Sequence, residues 1–248
     1  MPDWVVAGIG GLAAASTLLL GAALAWFLRI PRVVTTSVMA FGAGVLISTL
    51  AYSLVQEANE TGGIIATGAG FLTGALLYVS ADYLVSHRGG SHSRMSQDPQ
   101  RESEPSGVSL AVGALIDGVP ESLALGLSVA AGGSLSIPVL VAIAISNIPE
   151  GLSSSVGLKS SGRSARFVFT MWGAIAGASA LASLAGVLLL EAAPTGVAAF
   201  VQTIAAGGIL AMVANTMIPE AFERDRALTG IIVALGFLTA FLLYELGG

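Results

Sequence analysis

The chain has 248 residues, of which 54% are hydrophobic and 10% are charged, and its mean hydropathy is +0.85. Because soluble domains carry about 25% charged residues, this composition excludes a soluble globular protein and indicates a polytopic membrane protein. The absence of cysteine also excludes disulfide bonds and thiolate metal sites.

Apolar runs and the residues that interrupt them predict eight transmembrane helices of about 20 residues each. In chain order the predicted spans cover 4–28, 33–56, 62–86, 108–131, 137–158, 166–190, 197–221 and 229–246. We therefore expect one all-α transmembrane domain over 1–248. The longest connector, 87–107, is poor in apolar residues, and we expect it to be a mobile cytoplasmic loop.

The charged residues in the connectors are divided between the two sides of the membrane. All ten Lys and Arg residues lie in the connectors that follow the first, third, fifth and seventh spans, or directly at the border of such a connector. The opposite side carries only acids: Asp3, Glu57, Glu60, Glu191 and Glu245. The positive-inside rule therefore predicts that both termini are extracytoplasmic, in a multi-pass protein of the plasma membrane.

Carboxylates occur inside two predicted spans, in segments 117–121 and 146–150. Each segment has a polar residue, a step of four residues to a Glu, and a Pro directly before that Glu. In a helix this step returns to the same face, and the Pro loosens the preceding turn. Ionisable groups in a membrane cost at least about 2.5 kcal/mol each and usually face a bundle interior or a water-filled path.

These segments predict an intramembrane cation site if the fourth and fifth spans pack together. Its candidate ligands all carry side-chain oxygen atoms: Asp117, Glu121, Ser146, Asn147 and Glu150. A bound divalent cation would offset the repulsion between carboxylates in a low dielectric. Glu220 and Asn215, near the end of the seventh span, are candidates for lining the path.

Other functions are kept as alternatives. A proton-coupled or channel-like carrier of another cation, or a non-transporting metal-binding membrane protein, would use the same residues. An enzyme is not expected, because neither histidine, His87 or His92, lies where it could serve a nucleophile inside a span. The expected partners are a divalent metal ion and the lipid bilayer, with a homodimer as a possible assembly, no nucleic acid and no cofactor beyond the transported ion.

Short repeats indicate internal symmetry. The tetrapeptides that begin at Val119, Ile148 and Ile218 share a Pro-Glu pair, and Val55-Gln-Glu-Ala is a degenerate copy. They lie in the second, fourth, fifth and seventh spans, which favours a 3+2+3 arrangement with an inverted pseudo-repeat. Three glycine pairs in or near small-xxx-small settings further predict close helix packing: Gly42/Gly44, Gly70/Gly74 and Gly173/Gly177.

These motifs resemble the ZIP family of divalent-metal transporters. Ser146-Asn-Ile-Pro-Glu150-Gly is similar to the family's His-Asn-x-Pro-Glu-Gly in the fifth span, and Asp117-Gly-Val-Pro-Glu121-Ser stands where the fourth span has His-Asn-x-x-Pro-Glu-Gly. Weaker similarity lies in Gly42-Ala-Gly-Val-Leu and in Ala206-Gly-Gly-Ile-Leu. The resemblance covers the whole chain and implies eight spans, outward termini and a long cytoplasmic loop after the third.

The resemblance also assigns roles to the candidate ligands. Asp117 and Ser146 replace the family's histidines, whereas Glu121, Asn147 and Glu150 are retained. The family implies a zinc transporter that moves metal into the cytoplasm by alternating access. Carboxylate and amide oxygens favour harder cations than imidazole does, so Mn(II) or Fe(II) joins Zn(II) as an expected substrate at a single metal site.

Overall fold

The computed structural model describes residues 1–87, 107–132, 135–190, 193–222 and 228–247. Most of the predicted loop at 87–107 lies outside these ranges. Within them the structure is helical and contains no strand. The helices are α1 (Asp3–Phe27), α2 (Arg32–Thr49), α3 (Glu57–His87), α4 (Gly107–Gly132), α5 (Ile137–Ser160), α6 (Ala165–Leu190), α7 (Thr195–Met212), α8 (Ile218–Phe222) and α9 (Thr229–Gly247).

Most helices begin and end within a few residues of the predicted apolar runs. Six segments of the described chain are long and apolar enough to cross a membrane. Arg32–Leu84 counts as one of the six although it contains two predicted spans, and α4 is not among them. The protein is therefore an all-helical, multi-pass membrane protein.

Two π-helical segments continue α2 and α7. They cover Leu50–Gln56 and Val213–Met217, and each ends shortly before a glutamate, Glu57 in one case and Glu220 in the other. They lie in the second and seventh predicted spans, which carry the repeats Val55-Gln-Glu-Ala and Ile218-Pro-Glu-Ala. Single π-helical turns occur frequently at functional sites, so the positions directly after both turns are of interest.

We call α2 together with the π-helical segment Leu50–Gln56 the second pass; it runs antiparallel to α7. Gln202 Nε2 of α7 donates to the carbonyl of Leu54 at 3.2 Å. Twelve residues earlier in α2, a Cβ placed on Gly42 would lie 3.5 Å from Met217, which is at the far end of the π-helical segment that continues α7. The contacts therefore follow opposite orders along the two helices.

Helix α3, in contrast, runs parallel to α7. Gly70 packs against the backbone of Phe200, and Tyr78 Oη lies 3.3 Å from Thr216 Oγ1. The chain must therefore reverse its direction within the first turns of α3, before Gly70. The reversal coincides with Gly63, whose φ of 82° and ψ of 164° are non-helical and favour glycine.

The helices form two groups. Helix α1 packs on α5 and α6, and α4 packs on α6; the second group joins α3 to α7 and α2 to α9. The pattern of helix contacts is symmetric: it stays the same when α1 is exchanged with α6, α2 with α7, α3 with α9 and α4 with α5. For example, the packing of α2 on α5 corresponds to the packing of α4 on α7. The groups meet where Gly42 faces Ser146 and where Gly208 lies 3.7 Å from Pro120, if a Cβ is placed on each glycine.

Glycines allow the closest helix contacts. Gly44 faces the Val233 carbonyl, and Gly74 faces the Ile204 carbonyl, so tightly that neither position has room for a side chain. The predicted packing role of these glycines is confirmed. At Gly173 and Gly177, in contrast, no atom of the described residues beyond their own helix would lie within 4 Å of a Cβ, so they make no close helix contact within this part of the chain.

Candidate metal site

The carboxylates of Glu121 and Glu150 lie inside the helical bundle. Their residues are only 1% and 6% exposed, and Glu220 is 5% exposed. Both α4 and α5 continue through their prolines, Pro120 and Pro149. The apolar helices therefore hold these glutamates away from water, where a charged carboxylate needs a counter-charge or a polar partner.

The polar residues of the fifth-span motif are also buried. Asn147 Nδ2 donates to the carbonyl of Ala14 in α1 at 3.1 Å, which leaves the amide oxygen as an acceptor. Ser146 Oγ donates to the Ile143 carbonyl of its own helix at 2.9 Å. Asn147 thus joins α5 to α1 and at the same time retains a potential metal ligand.

The direction of each helix places α4 and α5 along α1. Two serines of α6 show which way α4 and α1 run. Along α4, Gly118 lies near Ser179 and Gly126 near Ser183. Along α1 the order is opposite, because Gly11 lies near Ser179 and Ala7 accepts a hydrogen bond from Ser183. Helix α4 is therefore parallel to α6, and α1 is antiparallel to both. Helix α5 is parallel to α1, because Asn147 contacts Ala14 and, twelve residues later in both helices, Lys159 Nζ donates to the Trp26 carbonyl.

This register brings the two motifs to a common level. A Cβ on Gly10 of α1 would lie 3.6 Å from Leu125 of α4. One helical turn further along α1 is Ala14, the partner of Asn147, and one turn back along α4 is Glu121. Glu121 and Asn147 therefore lie near the same level of α1, with Glu150 one turn beyond Asn147.

Other predicted residues are placed differently. Residue 117 lies in α4, one turn from Glu121, but the side chain of Asp117 is not among those that the structure describes. Asn215 is exposed, unlike Glu220. Among the described residues, no three His, Asp or Glu side chains are grouped closely enough to hold a metal ion, and α4 packs more extensively on α6 and α7 than on α5.

A second acidic region lies where the chain turns from α2 into α3. A cavity of about 660 Å³ there is lined by Tyr52, Ser53, Glu57, Glu60, Leu135, Ser136, Ile137, Pro138, Val141, Leu243, Tyr244 and Leu246. Glu57 accepts a hydrogen bond from Gln202 Nε2 at 3.4 Å. Burial raises the pKa of Glu57, the Gln202 hydrogen bond lowers it, and the charge of Glu60 raises it further.

Two of these features were not predicted from the sequence. The sequence places Glu57 just after the second span on the acidic side, where we expect a solvated side chain, but Glu57 is half-buried. Its partner Gln202 was not singled out at all, although a lone glutamine within the apolar run 197–213 is a signal that could have identified it. A buried amide in such a run requires a polar partner.

Comparison with known families connects these helices to a transporter class. Residues 85–244 match the family described as ZIP Zinc transporter, which is more than half of the chain. The chain belongs to the ZIP zinc transporter family. A comparison with curated proteins finds no match.

Membership of the ZIP family implies transport of divalent metal ions, and it agrees with the expectation that the protein is not an enzyme. The matched region begins at the end of α3 and includes both motifs, 117–122 and 146–151. Neither motif contains histidine in this chain, since His87 and His92 are its only two. The resemblance to the family is thus confirmed, and this member has Asp117 and Ser146 at the positions where the family pattern has histidines.

Proposed function

We propose that the protein moves a divalent metal ion across the membrane through a site on α4 and α5. Glu121 and Glu150 are its central ligands, Asp117 and Asn147 complete it, and Ser146 contributes directly or through water. The observation that carries this proposal is the burial of Glu121 and Glu150 on two proline-containing helices of a ZIP family member. Glu220 is proposed to lie on the same route.

The chemistry of the ligands supports particular metals. Carboxylate and amide oxygens suit Mn(II) and Fe(II) as well as Zn(II), whereas imidazole would favour Zn(II) or Cu(II). A divalent ion held by two or three carboxylates also reduces their mutual repulsion in a low dielectric. We therefore expect the substrate to come from the Zn, Mn and Fe class, with a weaker preference for zinc than imidazole ligands would give.

The proposed topology has eight spans in a 3+2+3 arrangement. The reversal at Gly63 supports separate second and third passes. The exchange symmetry of helix contacts supports an inverted repeat of α1–α3 with α6–α9, placed around α4 and α5. The distribution of basic residues supports termini on the extracytoplasmic side, and we propose that the protein lies in the plasma membrane and moves metal toward the cytoplasm.

Alternating access follows from a movement between the two helix groups. All five proposed ligands lie on α4 and α5 in one group, whereas Glu220 lies in the other. At the boundary, Gly42 beside Ser146 and Gly208 beside Pro120 leave smooth surfaces next to the ligand motifs. Displacement of one group past the other would expose the site to each side of the membrane in turn.

The test is a competition uptake panel in proteoliposomes with Zn, Mn, Fe, Co, Cd and Mg. Wild-type protein is compared with Glu121→Ala and Glu150→Ala at matched protein levels. We expect saturable uptake of divalent ions by wild type and a loss of uptake in both variants. Glu245→Ala, which removes an exposed carboxylate from α9, is the control and should transport normally.

Three results would overturn parts of the proposal. Normal uptake in both site variants would exclude the ligand assignment. Currents or pH-driven flux without a divalent requirement would identify a carrier or channel for another cation. Metal binding without flux would identify a non-transporting metal-binding protein.

A further inference from the structure

We infer that Tyr78 is a positioning residue for transport, because its hydrogen bond to Thr216 fixes the turn of the seventh predicted span that carries Glu220. Tyr78 is 3%, Thr216 4% and Glu220 5% exposed, so all three lie inside the bundle. Tyr78 belongs to α3, whereas Thr216 and Glu220 lie in the segments that continue α7. The inference rests on the proposed function, in which Glu220 lies on the route of the ion.

The backbone that leads to Glu220 is weakly held by its own helix. Val213–Met217 is π-helical, so its turns are wider than those of an α-helix. Pro219 has no N–H group and cannot donate to the carbonyl of Asn215 four residues earlier. Helices bend at both kinds of irregularity. The position of Glu220 therefore depends on support from a neighbouring helix.

The hydrogen bond between Tyr78 and Thr216 supplies this support. Tyr78 Oη lies 3.3 Å from Thr216 Oγ1. Thr216 precedes Glu220 by four residues, so the bond is made about one helical turn before the carboxylate. In the low dielectric of the bundle such a bond is stronger than in water. It restrains the turn whose backbone lacks a regular ladder of hydrogen bonds.

Helix α3 is a firm support for the Tyr78 side chain. Gly74 faces the Ile204 carbonyl and Gly207 faces the Phe71 carbonyl, and neither glycine has room for a side chain. The backbones of α3 and α7 are therefore in contact one turn before Tyr78. Because α7 itself ends at Met212, the Tyr78 hydroxyl extends this fixed contact to the π-helical segment that follows.

The segment that Tyr78 holds also lies beside the fifth-span motif. Met217 follows Thr216 directly, and its Cε would lie 3.5 Å from a Cβ placed on Gly42. The same Cβ would lie 3.3 Å from the Cα of Ser146. A shift of the π-helical segment would thus move Glu220 and change the surface next to a proposed ligand. Tyr78 acts on the ion route through these residues and not by contact with the ion.

The transport test measures initial rates of Zn²⁺ uptake in proteoliposomes. Tyr78→Phe removes the hydroxyl and keeps the ring, and we expect it to lower Vmax by about tenfold, the low end of the effect of residues that orient metal ligands. Thr216→Val should cause the same loss, whereas Thr216→Ser keeps a hydroxyl and should restore most of the rate. Tyr83→Phe removes a hydroxyl from a tyrosine of α3 that is 59% exposed and should transport normally.

The double variant Tyr78→Phe/Thr216→Val tests whether the two hydroxyls act together. If they act through their shared bond, its Vmax should equal that of either single variant. A loss of about 100-fold, the product of two independent effects, would overturn the inference. Normal transport by Tyr78→Phe, or equal losses in Thr216→Ser and Thr216→Val, would also overturn it.

A second measurement does not require transport. Dicyclohexylcarbodiimide modifies buried carboxyl groups, and its rate of reaction with Glu220 and Glu150 is followed by mass spectrometry of the full chain in nanodiscs. We expect Tyr78→Phe and Thr216→Val to raise the rate at Glu220 several-fold, because the turn is released, and to leave the rate at Glu150 unchanged.

The labelling result separates the inference from the proposed function. An unchanged rate at Glu220 in both variants would overturn the inference, and so would an equal increase at Glu150, which would indicate a general loosening of the bundle. An increase confined to Glu220, in a protein whose wild type moves no divalent ion, would refute only the proposed function.

Discussion

Two pairs of glutamates lie in contrasting surroundings in this protein. Glu121 and Glu150 are buried in the middle of α4 and α5, and the Asn147 side chain next to them holds α5 against α1. Glu57 and Glu60 lie at the end of the second pass, on the wall of an open cavity. The same carboxylate chemistry therefore occurs once where water is excluded and once where water is available.

The contrast indicates how one chain can both attract and select a cation. A buried carboxylate interacts strongly with an ion because the dielectric is low, but the ion must lose its waters to reach it. An exposed carboxylate binds weakly and exchanges rapidly because it acts on a hydrated ion. We therefore expect Glu121 and Glu150 to determine whether transport occurs and the pair on the cavity wall to influence only the metal concentration at which it occurs.

The largest expected effect is a difference in Vmax between variants of the two pairs of glutamates. Glu150→Gln should lower Vmax by more than about 100-fold, since even residues that only orient ligands contribute 10- to 100-fold to metal affinity. The exposed Glu60→Gln should leave Vmax within about twofold of wild type, because a surface charge is largely solvated. Initial uptake rates over a range of metal concentrations measure both. A similar loss of Vmax in the two variants would remove the distinction.

The next prediction concerns the packing that keeps the two regions in place. Gly74→Ala should destabilise the protein by about 1–3 kcal/mol, because the added methyl group would overlap the Ile204 carbonyl. Gly173→Ala adds the same methyl group to a helix of the other group, where no described atom of another helix lies within 4 Å. It should leave the melting temperature in detergent unchanged or raised, as alanine favours helices by up to about 1 kcal/mol over glycine.

Equal melting temperatures for these two variants would contradict the close contact of α3 with α7. A fall in both would indicate that Gly173 faces another protein surface, such as a second copy of the chain. The comparison uses purified full-length protein, and monodispersity by size exclusion is checked for each variant before melting.

The difference between this chain and the family pattern gives a third prediction. Asp117→His restores the imidazole that the family carries in the fourth span. It should raise the ratio of zinc to manganese uptake several-fold, because imidazole is a softer ligand than carboxylate. Asp117→Glu retains an oxygen ligand and is the matched control. An unchanged ratio in the histidine variant would mean that residue 117 does not touch the transported ion.

The smallest expected effects concern two side-chain amides: Asn147, beside the buried glutamates, and Gln202, beside Glu57. Asn147→Ala removes the hydrogen bond to Ala14 and should destabilise the protein by about 0.6 kcal/mol and at most about 1.7 kcal/mol, the mean and the maximum for such bonds in a membrane protein. Gln202→Ala removes bonds to Leu54 and Glu57 and should have a similar effect on stability. Only the Asn147 variant should also lose Vmax, and a loss in the Gln202 variant alone would reverse the assignment.

Much of the helical framework follows from the sequence because apolar length and helix ends are local properties. The start of α5 at Ile137 and the break near Gly63 lie where the apolar runs are interrupted, since the sequence must supply a turn there. The direction in which each helix faces its neighbours is not local. Gly74 and Gly173 both occur in glycine-rich helices, yet only Gly74 meets another backbone.

The candidate site divides in the same way. The intramembrane positions of Glu121 and Glu150 could be predicted because a carboxylate in an apolar run is conspicuous, and both are buried. The π-helical turns at Leu50–Gln56 and Val213–Met217 have no distinct residue pattern, because the same side chains fit an α-helix. Gln202 was missed because its importance depends on the position of Glu57, 145 residues earlier in the chain.

The most direct test of the central claim is X-ray absorption at the zinc edge of purified, zinc-loaded protein in nanodiscs. An oxygen-ligand site on α4 and α5 predicts a first shell of oxygen at about 2.0–2.2 Å without imidazole scattering, and loss of that signal in Glu121→Gln/Glu150→Gln. Imidazole scattering from the bound zinc, or an identical spectrum in the double variant, would contradict it.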